Sequence, residues 1–416
     1  MNNMSLREAV PIIMEMLEEY QYSKDHLATF RRHFKHVVDL YEKKGIIYYK
    51  EGQYQEFLLF IKNEYARNIL RIDLFWYYRK CAYYLDEFFR IGKIHPIMLN
   101  NDKYSGLSLV FNKALNEYLS YVQLSIRKST LNQRRLAIQR YLSFLQSIGH
   151  ETFEKVTAQD IQRHFSVMSE RYSSRTLNGH RLYIRQFHHF LYDQCIYSPE
   201  WLSLLDFHTI IPRKIQGYLT PEELNKIMSA IDVTTNTGKR DYAIVSLVKT
   251  TGLRGIDIIN LKLPDINWRL GKILITQSKT GITLELPLLY ETGEAIKNYI
   301  LYGRPESEFN NVFLRAHAPY TPLKSTSSLD AILERYKRAA GISHVPWDGK
   351  AFHGVRRGLG RELIIADVPV TTVMQILGHS NLNSTKPYIM LHTNELRECA
   401  LDFSDIPLKR GELIND

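Results

Sequence analysis

Two stretches of this chain, residues 130–145 (TLNQRRLAIQRYLSFL) and 176–191 (TLNGHRLYIRQFHHFL), form an internal repeat, identical at half of their positions. The pairs Leu131 and Leu177, Leu136 and Leu182, Ile138 and Ile184, and Phe144 and Phe190 are read as one helical face, so each copy predicts an amphipathic helix turned toward a common core. Ser129 or Thr130 for the first copy, and Ser174 or Thr176 for the second, are the candidate N-caps. Gly149 supplies a turn between them, and residues 153–165 a further short helix. Residues 107–197 therefore read as one all-helical domain. A weaker echo at residues 26–41 (HLATFRRHFKHVVDLY) suggests that residues 1–100 hold an N-terminal helical module of related shape. There Ile12, Ile13, Met16, Leu17 and Tyr20 recur at three- and four-residue spacing. The aromatic run with Trp76, Tyr77, Tyr78, Tyr83, Tyr84 and Phe88 is read as packed core rather than a base-stacking surface.

Periodicity lapses over residues 198–218, where Pro212, Arg213, Lys214 and Gly217 form a basic linker. A second domain, residues 219–416, opens on Thr220, Pro221, Glu222 and Glu223, the order expected of an N-cap, a first-turn proline and acids that favour the helix dipole. Residues 272–276 and 283–287 are β-rich runs joined by a hairpin turn with Lys279 at its tip. The fold class is therefore mainly α with a small β-sheet (α+β).

An excess of 54 Lys and Arg over 44 Asp and Glu, a net charge of +10, favours a polyanionic partner. Arg127, Lys128, Arg134, Arg175, Arg181 and Arg185, at the starts and on the predicted exposed faces of the repeat helices, are the candidate DNA contacts; Arg135 and Arg140 share those faces. Cys81, Cys195 and Cys399 are far apart, odd in number and without metal-ligand spacing, so neither a disulfide framework nor a metal site is expected. Arg7, Glu8 and Glu15 interrupt the apolar residues at the amino terminus, which reads as neither a signal nor a transit peptide. No apolar run reaches the roughly 20 residues that span a bilayer. The expectation is a cytoplasmic protein, gathered on the nucleoid when it acts, with no membrane partner. No glycine-rich phosphate loop occurs, so nucleotide hydrolysis has no support.

Four motifs then follow in order: TGLRGID with Arg254 and Asp257, QSKTG with Lys279, HGVR with His353 and Arg356, and LGHSNLNSTKPY with His379 and Tyr388. His353 and Arg356 lie one helical turn apart, so both can face one point. Together these motifs resemble the tyrosine recombinases, or phage integrases. That family's catalytic domains carry an arginine in a TGLR-type segment, a hairpin lysine, a His-x-x-Arg pair, a Gly-His pair and, nine residues on, a tyrosine, which is the interval from His379 to Tyr388. The resemblance covers about residues 107–400, because the helical segment before the linker looks like the family's core-binding domain. Two departures stand out: Arg357 takes the place of a histidine found in many relatives, and Pro387 directly precedes Tyr388.

A phosphodiester under in-line attack gathers negative charge on its nonbridging oxygens, so cations must be held ready for it. Arg254 and Arg356 offer planar forks of donors, His353 and His379 complete the cage, and His353 is also placed to accept the proton of the tyrosine. The resemblance implies that Tyr388 attacks to form a 3′-phosphotyrosyl bond and that Lys279 protonates the leaving 5′-oxygen. The linkage conserves bond energy, so no cofactor, metal or ATP is expected. Asp257 is expected to orient Arg254 or its neighbours from behind. The partners implied are duplex DNA with specific recombination sites, three further copies of the chain (a dimer per site, a tetramer in all) and accessory proteins. The activity expected is integration or excision of a mobile element. Two other readings stay open: a DNA-binding regulator that has lost cleavage, against which the complete residue set argues, and a type IB topoisomerase. Apolar residues among 394–403, with Leu396, Cys399, Leu401 and Phe403, fit docking either on their own domain or on a neighbour.

Overall fold

The computed structural model describes residues 4–50, 52–95, 107–196, 201–207, 210, 216–343, 345 and 348–379. Two compact units result: residues 98–214, and residues 1–97 taken together with 215–416. None of the helices among the described residues is long and apolar enough to cross a membrane.

The amino-terminal part of the larger unit contains α1 (Leu6–Glu19), α2 (Lys24–Lys43), α3 (Gln53–Ala66) and α4 (Ile72–Ile91). A reciprocal cap starts α1: the Glu8 amide donates to Ser5 Oγ (3.3 Å) while the Ser5 amide donates to the Glu8 carboxylate (2.7 Å). The aromatic run falls in α4, where Tyr84 and Phe88 are buried and Trp76, Tyr77, Tyr78 and Tyr83 pack partly buried on the same core. The run is core, as read from the sequence.

The smaller unit is built from α5 (Leu109–Val122), α6 (Lys128–Ser147), α7 (Ala158–Ser169) and α8 (Ser174–Asp193). Its two repeat copies are α6 and α8. Ile138 and Ile184 are fully buried, but Leu136 and Leu182 are 49% and 40% exposed, which corrects the expected face. Residues two apart on a helix point about 200° away from each other, so Leu136 cannot share the side of Ile138. Ala137, Tyr141, Leu142 and Leu145 complete that side instead. The expected caps also shift: Ser173 Oγ accepts from the Thr176 amide (3.4 Å) to start α8, and α6 starts after Arg127 without a side-chain cap.

The carboxy-terminal part of the larger unit has the order α9 (Pro221–Ser229), α10 (Asn236–Thr251), α11 (Gly255–Asn260), β1 (Ile266–Asn267), β2 (Lys272–Thr276), β3 (Thr283–Pro287), α12 (Tyr290–Tyr302), α13 (Ser327–Ala339), α14 (Phe352–Ile365) and α15 (Val370–Leu377). Thr220 caps α9 reciprocally with Glu223, and Pro221 stands in the first turn. The strands form an antiparallel sheet in the order β1-β2-β3, with Ile273 opposite Leu286, both buried. Helix α10 runs through the core, with Ala243, Ile244, Leu247 and Val248 buried and α12 and α14 packed against it.

Candidate active site

Helix α10 must stop where the chain turns back over its own core, and Gly252 provides the stop at φ +62°. A Cβ there would lie 2.8 Å from Leu377 Cδ2 and 2.9 Å from Leu359 Cδ2, so close packing as well as backbone conformation calls for glycine. The turn puts Arg254 at the N-cap of α11, half-buried. Its Nη1 donates to Gln277 Oε1, and its Nη2 to the Gly378 carbonyl (3.1 Å).

Arg356 sits in the first turns of α14 and is 1% exposed. Its Nη1 donates to the Gly252 carbonyl (2.6 Å) and its Nη2 to the Leu377 carbonyl (2.6 Å) and to His379 Nε2 (2.8 Å). A guanidinium has no acceptor. His379 Nε2 must therefore be the bare nitrogen, which makes the ring neutral with its proton on Nδ1. Gly378 ends α15 at φ +59° and delivers His379; a Cβ at Gly378 would overlap the Gln277 amide. One amide group thus ties two motifs together, since Gln277 Nε2 also donates to the Leu377 carbonyl (3.3 Å).

Lys279 is exposed at the hairpin turn, between Gln277 and Gly281, whose amide closes the turn onto the Gln277 carbonyl (2.8 Å). Asp257 is fully buried, and its Oδ1 accepts from the Ser278 amide (2.8 Å). It therefore fastens the root of the lysine hairpin; the bond runs to the residue before Lys279 rather than to Arg254.

His353 opens α14 and keeps an exposed face. Its imidazole is pushed down to about 4, by partial burial first and then by Arg357, Arg356, Arg254 and Lys279. His379 is likewise pushed down to about 4, by burial and then by Arg356, Arg254, His353 and Lys279. Because His353 remains partly open to solvent, the surrounding cations are its firmer cause. Arg254, Lys279, His353, Arg356 and His379, from four separate segments, thus act on one small volume whose potential is strongly positive.

Arg357 lends its charge to His353, but donates hydrogen bonds to the backbone and a side chain of other segments. It is nearly buried, and donates to the carbonyl of Gly217 (2.9 Å), to Gln216 Oε1 (3.0 Å) and to the Gly349 carbonyl, fastening the start of the domain to the loop before α14.

These elements match known proteins. A sequence model of the phage integrase family matches residues 217–395. A protein of Sinorhizobium fredii provisionally named integrase/recombinase y4gC is 38% identical over 176 residues, which cover 42% of this chain and 89% of that one. The chain belongs to the phage integrase family, the tyrosine recombinases. Tyrosine recombinase XerC of Bacillus pumilus is 25% identical over 304 residues, 71% of this chain and 97% of that one. Lambda integrase, in its crystal structure as a tetramer bound to a Holliday junction, shares the fold with a TM-score of 0.53 and 18% identity, over 74% of this chain and 84% of that one.

Of the residues expected at the recombinase site, Tyr388 lies outside the described residues, as do Pro387, Cys399 and the apolar stretch 394–403; Pro212, Arg213 and Lys214 of the linker do too. In the smaller unit, Arg127, Lys128 and Arg175 are exposed at helix starts. Arg134 donates to Tyr118 OH (3.1 Å) and lies over the Tyr183 ring, and Arg185 pairs with Asp206 (2.7 Å). Arg181 is not on an exposed face: it is 5% exposed and donates to the Leu205 carbonyl. Gln277 was not among the residues singled out from the sequence. The signal for it was the period-2 alternation of β2, which carries Ile273, Ile275 and then a polar residue to the buried side.

Proposed function

We propose that this chain is a site-specific DNA recombinase that cleaves and rejoins strands through Tyr388, in the integration or excision of a mobile element. The observation that carries the reading is the pocket of two guanidiniums, two imidazoles held neutral and a hairpin ammonium. Such a preorganised positive volume suits a phosphodiester whose charge grows in the transition state. In the proposed step the Tyr388 hydroxyl oxygen bonds to phosphorus, and its proton passes to neutral His353. The bond from phosphorus to the 5′-oxygen breaks, and Lys279 supplies the proton that leaves with the 5′-hydroxyl. Rejoining runs the same exchange in reverse on a new strand end, with no net loss of phosphoester bonds. Arg254 and Arg356 hold the nonbridging oxygens, and Asp257 sets the hairpin that carries Lys279. A tetramer on two DNA sites is the working assembly, by analogy with lambda integrase on its junction.

The test selects bound duplexes from a random pool, places the selected sequence on two plasmids, and incubates them with the protein in EDTA without nucleotide. Strand exchange confined to site-bearing plasmids is expected. Efficient relaxation of supercoiled plasmid lacking any such sequence would mark a topoisomerase and overturn the reading.

A further inference from the structure

The amino-terminal helices α1 to α4 and the helices α5 to α8 share more than a weak sequence echo. Their lengths run 14, 20, 14 and 20 residues in the first set and 14, 20, 12 and 20 in the second. In both sets the first helix packs on the second, the second on the fourth, the first on the fourth and the third on the fourth. The buried positions coincide as well. All five buried residues of α6, from Ala137 to Leu145, have buried counterparts in α2, from His33 to Tyr41, each 104 positions earlier. All five of α1 recur in α5 at an offset of 105, from Leu6 with Phe111 to Leu17 with Val122.

The turns agree bond for bond. After α2 the amides of Lys44, Gly45 and Ile46 donate to the carbonyls of Tyr41, Glu42 and Tyr41. After α6 the amides of Ile148, Gly149 and His150 donate to those of Leu145, Gln146 and Leu145, again 104 positions on. Gly45 and Gly149 take φ +76° and +97° in the two turns. A shared buried register, helix order and turn geometry are the marks of one structural unit used twice.

Apart from Asp25 in its first turn, the outer surface of α2 up to Asp39 is basic or neutral. Lys24, Arg31 and Lys35 fall on one stripe at seven- and four-residue spacing, with Arg32 beside them, and all four are exposed. None of the four forms an ion pair among the described residues. The stripe ends where Asp39 and Glu42 are engaged by Arg7. In the α6 register, Lys24 and Arg31 fall on Lys128 and Arg135, both exposed.

We propose that residues 4–95 are a second copy of the four-helix module formed by residues 107–207, and that Lys24, Arg31, Arg32 and Lys35 on α2 bind the phosphates of duplex DNA. The DNA is a segment additional to that held by α6 and α8. The inference rests in part on the recombinase reading, which gives the second module its DNA.

The test uses the full chain and a fluorescein-labelled duplex of mixed sequence, with affinity measured by anisotropy across a salt series. Each lost phosphate contact lowers the slope of log affinity against log salt by about 0.9. The variant K24Q/R31Q/R32Q/K35Q should therefore lose about 3 to 4 from the slope, and its affinity should fall about tenfold or more at physiological salt. The charge-keeping variant K24R/R31K/R32K/K35R should bind like the wild type; if it also loses slope, the residues serve the fold and not phosphates. A wild-type slope in the glutamine variant, with a reduced slope in R127Q/K128Q/R135Q, overturns this inference alone. A wild-type chain showing no salt-dependent duplex binding overturns both it and the recombinase reading.

Discussion

Gln277 is the residue whose replacement separates architecture from electrostatics most cleanly. It is 1% exposed, accepts from Arg254 and from Thr280 Oγ1 (2.8 Å), and donates to the Leu377 carbonyl. In Gln277→Leu the volume is nearly kept, so no cavity opens. The Leu377 carbonyl keeps Arg356, and Thr280 is half-buried and can turn to water. What is lost is the charge-assisted bond to Arg254, which puts the destabilisation at about 2–3 kcal/mol. Gln277→Glu keeps that acceptor and the shape, but cancels one positive charge of the pocket. Its stability is expected within about 1 kcal/mol of wild type, with an ion pair to Arg254 offset by repulsion from the Leu377 carbonyl. Urea denaturation measures both effects. The rate of covalent adduct formation on a nicked duplex carrying the selected site should fall about 100- to 1,000-fold in each variant, the effect typical of one misplaced oxyanion donor. Wild-type cleavage by Gln277→Glu would refute the positive-pocket argument. Wild-type cleavage by a destabilised Gln277→Leu would reduce Gln277 to a structural role.

Arg356→Lys should be severe despite keeping the charge, because a point ammonium cannot reach the Gly252 carbonyl, the Leu377 carbonyl and His379 together. A loss of about 3 kcal/mol is expected, read as roughly 6–12 °C in the melting temperature of a domain this size. The smaller unit should weaken in mild acid. Burial holds His164 and His188 down to about 3, against 6.5 when unfolded. Because the unfolded chain takes up these protons first, the lowered values cost nothing well above pH 6.5 and destabilise the folded state progressively as pH falls toward 3. At pH 5 the loss attributable to His188 alone is at most about 2 kcal/mol, and His188→Gln should flatten the pH dependence of urea stability between pH 6.5 and 5. An unchanged pH slope in that variant would contradict the assignment.

Much of this molecule is legible in its sequence, for local reasons. Strand bounds at 272–276 and 283–287 and the Thr220 cap were legible because alternation and capping are written into a few adjacent residues. The pocket was legible from motif order, although nothing in the sequence places the partners of Arg356, which are backbone carbonyls 104 and 21 residues away. Leu136, Leu182 and Arg181 were misplaced for one reason. Residue type was allowed to decide the helix face, when angular position about the axis decides it. A leucine can remain outside, and an arginine can be buried once its fork finds a carbonyl. Gln277 escaped notice, and Arg357 stood out only as a departure from the family pattern, because their roles depend on segments distant along the chain.

The most direct measurement traps the protein on a nicked duplex bearing its selected site, digests the adduct and locates the attached nucleotide by mass spectrometry. A single DNA-bearing peptide modified at Tyr388 through a 3′-phosphate, and no adduct from Tyr388→Phe, is the predicted result. An adduct on any other side chain, or one that persists in Tyr388→Phe, would show that the cationic pocket serves a different nucleophile.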